Sequence, residues 1–125
     1  GVEHLVVCGH YECGGVKAAL HPSDSGQLNG WLQTLRDAYR LHREELDAIT
    51  DQRQRFDRLV EVNVLEQCIN LVKIDHWQRA WYTARRPMIH GWVFDVRTGL
   101  LKDLELDLPK EIAAIRAIYD LKPLG

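Results

Sequence analysis

No excess of positive charge marks this sequence: 16 lysines and arginines face 18 aspartates and glutamates, for a formal charge of −2. A nucleic-acid binder would cluster basic residues on one face. The nearest approach, Arg53, Arg55 and Arg58 around Phe56, is interleaved with Asp51 and Asp57 and reads as a solvated face. No apolar stretch reaches the ~20 residues that a membrane-spanning helix needs. Cysteine is scarce and odd in number. Cys8, Cys13 and Cys68 cannot all pair with one another, which argues against a secreted disulfide framework and for a reducing compartment or a metal. Internal repeats and low-complexity tracts are absent. The expectation is a cytoplasmic protein that engages neither nucleic acid nor membrane.

What is present suits one domain over residues 1–125, with 46% hydrophobic and 27% charged residues. A chain of this size can close a core without disulfides. Leu5, Val6, Val7 and Cys8 form a continuous apolar run, so a strand over residues 2–7 is expected, buried on both faces. A strand so placed needs neighbours on either side. The chain opens on Gly1 directly before it, and the expectation is a cut through a domain.

Gly14 and Gly15 lead into a short helix over residues 16–20, and residues 21–30 (HPSDSGQLNG) carry turn chemistry. Trp31, Leu32, Leu35, Ala38, Tyr39, His42, Leu46 and Ile49 recur every three or four residues, predicting one amphipathic helix over residues 28–49. A second helix is predicted over 56–72, apolar around so much of its circumference that it packs on more than one side. A short helix follows over 76–84. Residues 88–96 read as a strand, Thr98-Gly99 as a turn, and 100–108 as a half-exposed strand beside it. Pro109 suits the first position of a last helix over 110–119, where its missing N–H costs nothing. The order predicts an α/β domain: a mostly parallel sheet flanked by helices, with an antiparallel C-terminal hairpin strand.

One constellation carries chemistry: Cys8-Gly9-His10-Tyr11-Glu12-Cys13-Gly14-Gly15, where a strand hands over to a helix. Open α/β sheets bind ligands at such places. His10 and Cys13 are close enough in sequence to reach one ion across a turn, and zinc accepts imidazole nitrogen and thiolate alike. Spacing alone leaves a second reading open, in which the two are independent core or surface residues.

The run CGHYECGGVKAAL resembles the second zinc motif of the β-class carbonic anhydrases, G-H-x-x-C-G after a core strand. Asn29-Gly30-Trp31-Leu32 with Leu35-Arg36-Asp37 resembles that family's next helix. Val62-Asn63-Val64-Leu65-Glu66-Gln67 with Asn70-Leu71 resembles its central helix, and His90-Gly91-Trp92 with Asp95 to Leu104 its closing strand pair. The matches run in order over nearly the whole chain and are closest to the bacterial branch. The resemblance implies a zinc lyase that interconverts carbon dioxide and bicarbonate through zinc-activated hydroxide, working as a homo-oligomer of two or four chains.

The same resemblance implies zinc ligation by His10 and Cys13, and contacts of Gly14 and Gly15 with bicarbonate at an inhibitory site. It places a further Cys ligand and an orienting Asp-Arg pair in an upstream C-x-D-x-R motif, which this sequence does not contain. No residue of this chain is therefore expected to be catalytic in its own right, and the chain alone is expected to be inactive. Phe94 stands where the inhibitory site has a Tyr, which puts that site in doubt.

Cys8 is expected to be a buried structural thiol, and Glu12 to be solvent-facing or salt-bridged. Asp95-x-Arg97 is expected to be structural. Two other classes remain: a non-catalytic, degenerate subunit that pairs through an exposed sheet edge, and a thiol redox protein, disfavoured by the C-x₄-C spacing of Cys8 and Cys13.

Overall fold

The computed structural model describes residues 1–20 and 29–118. The first strand, β1 (His4–His10), leads into α1 (Gly14–Leu20), followed by α2 (Asn29–Leu41), α3 (Arg43–Asp47), α4 (Gln52–Val72) and α5 (Asp75–Ala84). Strands β2 (Met88–Asp95) and β3 (Leu100–Asp103) form a hairpin, and α6 (Leu108–Arg116) closes the described chain. The turn-rich residues 21–28 and Tyr119 lie outside the described residues, as does the side chain of Trp31.

The sheet has three strands in the order β1-β2-β3. β1 and β2 are parallel, with His4 opposite Met88 and His10 opposite Phe94. β2 and β3 are antiparallel, with Trp92 opposite Asp103 and Asp95 opposite Leu100. Both pairings agree with the reading of the sequence, and the turn between the last two is closed by Gly99, whose N–H meets the Asp95 carbonyl at 2.8 Å at a φ of 75°.

The architecture does not agree. A mostly parallel sheet flanked by helices was expected; the described residues are mostly helical, and the small sheet is mixed, with one parallel and one antiparallel pairing. The reason lies in β1, where burial alternates along the strand. Leu5, Val7 and Gly9 face inward with Ile89, Gly91 and Val93, whereas Val6 is 44% exposed and His4, Cys8 and His10 are exposed. A run of apolar residues thus places only every second one under cover. Among the described residues nothing pairs with the outer edge of β1.

The covering element is α4, which packs on β1 and β2. Asp51 caps it, its carboxylate accepting from the Gln54 N–H at 3.1 Å, so the helix begins four residues before the expected Phe56. Leu59, Val62, Cys68 and Val72 are almost wholly buried along it. Burial pushes the Cys68 thiol up to about 11. The backbone approach is close enough to require glycine at two places. A Cβ at Gly9 would lie 2.8 Å from Val64 Cγ2, and one at Gly91 would lie 3.2 Å from Cys68 Sγ.

Other departures have local causes. The helix expected over 28–49 breaks at His42, whose backbone leaves helical geometry before α3. Its ring is drawn instead to Glu66 of α4, at 2.8 Å. Strand β3 stops at Asp103 because the Asp103 carboxylate accepts from the Glu105 N–H at 2.8 Å and Glu105 turns to a φ of 55°. Pro109 does sit in the first turn of α6, capped by Asp107, whose carboxylate accepts from the Lys110 N–H at 3.2 Å. Among the described residues no helix is long and apolar enough to cross a membrane.

Candidate metal half-site at the end of the first strand

His10 ends β1 and Cys13 immediately precedes α1, so the chain turns from strand to helix between them. The parallel ladder carries one bond further, the Tyr11 N–H donating to the Phe94 carbonyl at 3.1 Å. At the other side of the turn the Cys13 carbonyl accepts from the Lys17 N–H at 3.2 Å and so begins the helix. The intervening Glu12 has a φ of 60°, a left-handed conformation that disfavours any residue with a Cβ. This corner is held from both ends.

The His10 ring is oriented by its neighbour. Its Nδ1 lies 2.9 Å from the Tyr11 carbonyl oxygen. A carbonyl can only accept, so Nδ1 carries a proton, and in the neutral ring Nε2 is the nitrogen that keeps its lone pair. Histidines that bind metals are commonly fixed in this manner, the second ring nitrogen donating to a carbonyl. Cys13 is a free, half-buried thiol packed against the core. Both residues line a cavity of about 210 Å³, whose other walls include Gly9, Val16, Leu35, Val60, Asn63 and Val64. Cys13 also borders a larger, more polar cleft of about 390 Å³ with Glu12, Arg53 and Asp57.

The nitrogen and sulfur donors fit zinc in type. Their number does not complete a site: among the described residues no group of three or more His, Cys, Asp or Glu is placed to hold an ion. Cys8, expected to be a buried thiol, is exposed on the open sheet face, because strand alternation turns it away from α4. Gly14 and Gly15 form the first residues of α1, and a Cβ at Gly14 would meet nothing within 4 Å.

Beneath the turn lies a polar network absent from the sequence reading. Glu61 of α4 is 8% exposed. It accepts from the Tyr11 hydroxyl, from Lys102 Nζ at 3.0 Å and from Arg58 Nη1 at 3.1 Å. Burial pushes the Glu61 carboxyl up, but bonds from Tyr11, Lys102 and Arg58 overcome that and hold it below the usual carboxylate range. The Tyr11 hydroxyl is raised well above its ordinary value, by burial and by the Glu61 charge. A lone acidic residue inside the apolar run Leu59-Val60-Glu61-Val62 was the available signal. Glu12, as expected, is salt-bridged, to Lys17 at 3.4 Å, Arg53 at 3.6 Å and Arg97 at 3.9 Å.

Comparison with known proteins identifies the family. Residues 1–101 match the family model described as carbonic anhydrase. A carbonic anhydrase of Emericella nidulans is 54% identical over 120 residues, covering 96% of this chain and 53% of that protein. One from Pseudomonas aeruginosa is 33% identical over 108 residues, covering 84% of this chain and 48% of that protein, so the fungal protein is the more similar of the two. Among solved structures, the β-carbonic anhydrase CafA of Aspergillus fumigatus matches with a TM-score of 0.82 at 32% identity, over 95% of this chain and 57% of that one. A tetrameric β-carbonic anhydrase of Sordaria macrospora matches with a TM-score of 0.76 at 36% identity, over 84% and 53%. The chain spans about half the length of the curated relatives it matches. It belongs to the β-carbonic anhydrase family.

Proposed function

We propose that this segment supplies one half of the zinc site of an enzyme that reversibly hydrates carbon dioxide to bicarbonate. His10 Nε2 and Cys13 Sγ are the two donors it contributes, and the remaining donors come from outside the described residues. The observation that carries the reading is the His10 ring, its Nδ1 committed to the Tyr11 carbonyl and its Nε2 left free, on the wall of the cavity that Cys13 also lines. Bound zinc supplies a nucleophile at neutral pH by acidifying water. Around it the chain's own residues do the positioning: Gly9 and Val64 close the floor, Leu35 and Val60 keep the cavity apolar, and Asn63 adds a polar group to its wall. Gly14 and Gly15 offer backbone N–H groups to bicarbonate at the start of α1.

Two donors leave too many positions open on a tetrahedral ion. The 125-residue segment alone should therefore hydrate carbon dioxide no faster than buffer, while a longer polypeptide with the full donor set should be active and lose activity on Cys13→Ser. Stopped-flow hydration assays on the three samples check this. Activity in the isolated segment would refute the half-site.

A second expectation concerns association. Among the described residues no strand pairs with the outer edge of β1, and the open face beside it exposes Val6, Phe94 and Leu101. Such an edge is a template for another chain. The isolated segment should self-associate, and the whole protein should form a homo-oligomer, in line with the tetrameric Sordaria relatives. Sedimentation equilibrium over a range of concentrations decides; a monomeric segment throughout would remove this expectation.

A further inference from the structure

Arg97 lies in the β2–β3 turn, outside the strand-to-helix corner, yet its guanidinium reaches both residues that separate His10 from Cys13. Its Cζ sits 5.3 Å from the centre of the Tyr11 ring. Its Nη1 lies 3.9 Å from the Glu12 carboxylate. The guanidinium is itself aimed. Its Nε and backbone N–H both donate to Asp95 Oδ1, at 3.0 and 2.9 Å, and its Nη2 donates to Asp57 Oδ2 at 3.4 Å. Asp95 belongs to β2 and Asp57 to α4, so the side chain is strung between the two elements that form the floor of the corner.

We propose that Arg97 is a positioning residue for the metal half-site, clamping Tyr11 and Glu12 so that His10 and Cys13 are presented together. The inference rests on the ligand roles given to those two residues above. Glu12 needs such a clamp, because its left-handed backbone persists only where the surroundings over-determine it. Lys17 and Arg53 also pair with its carboxylate, and Arg97 adds to that pairing its contact with the Tyr11 ring. A lysine at position 97 could not replace the arginine. One ammonium on a flexible stem cannot meet Asp95, Asp57 and Glu12 while lying over a ring, whereas the planar fork does all four.

The test uses the zinc-loaded, full-length protein and two readouts that do not depend on turnover. Hydrogen exchange of the peptide spanning residues 9–16 reports the corner, and zinc transfer to a chromogenic chelator reports the site. Arg97→Ala should accelerate exchange in that peptide while leaving α4 and β2 protected, and should speed zinc release about 10-fold, as removal of a group that orients a ligand does. Arg97→Lys should fail to restore either, and Asp57→Asn, which weakens one of the arginine's two carboxylate anchors and leaves Asp95 in place, should move both by less. Exchange in residues 9–16 unchanged in Arg97→Ala overturns the clamp, and so does an increase spread evenly over α4 and β2. His10→Ala and Cys13→Ser serve as references. If neither alters zinc retention, the ligand assignment fails, and the exchange data still judge the clamp by themselves.

Discussion

Valine in place of Gly9 is expected to lower the unfolding free energy by about 3 kcal/mol and the melting temperature by about 10 °C. Even a Cβ at this position would lie 2.8 Å from Val64 Cγ2 and 3.4 Å from Val60 Cγ1. Both belong to the helix that covers the sheet, and both are buried. The two added methyl groups must push α4 off β1, directly beside His10. Differential scanning calorimetry checks the magnitude, and an undiminished melting temperature would mean that helix and strand are not in contact here. Gly14→Val is the matching control, because a Cβ there meets nothing within 4 Å.

Glu61→Ala should cost about 2 kcal/mol near neutral pH, the figure for losing charge-assisted bonds after allowing for partners that remain partly hydrated. The side chains of Lys102 and Arg58 are 57% and 34% exposed and can turn to water, whereas the Tyr11 hydroxyl cannot do so as readily. The deficit should depend on pH in a particular sense. The Glu61 carboxyl is held below its ordinary value of 4.5 in the folded chain, so its contribution is complete above that value. It disappears as the pH falls from 4.5 through the lower folded value. Denaturant melts of the wild type and the variant should therefore converge in acid. A constant gap between them at all pH values would show that the lost packing, not the charge, sets the cost.

These two positions show what a sequence can disclose. The pairing of β1 with β2 and of β2 with β3 was legible because Thr98-Gly99 and the apolar stretches around it allow few alternatives. The expectation for His10 and Cys13 came from their motif rather than from spacing, since a His and a Cys three residues apart have no fixed relation until the chain is known to turn from strand to helix between them. What stayed hidden depended on neighbours remote in sequence. Leu5 to Cys8 is uniformly apolar, so nothing within it tells that Val6 and Cys8 point to the open face of the sheet. The helical periodicity through His42 continues unbroken in the sequence, but Glu66, 24 residues away, captures its ring where the backbone departs from the helix. Glu61 required Lys102 and Tyr11 to explain it, from 41 and 50 residues away. Arg97 was read only as structural, ahead of the Thr98-Gly99 turn; it lies in the turn itself, and only the fold sets that turn beside the corner.

The central claim is that His10 and Cys13 are one half of a zinc site, and metal content per chain after dialysis against a mild chelator tests it most directly. The isolated 125-residue segment should retain far less than one zinc per chain, and the full-length protein should retain one and lose it on Cys13→Ser. A full equivalent held by the isolated segment, or by the Cys13→Ser protein, would contradict the account.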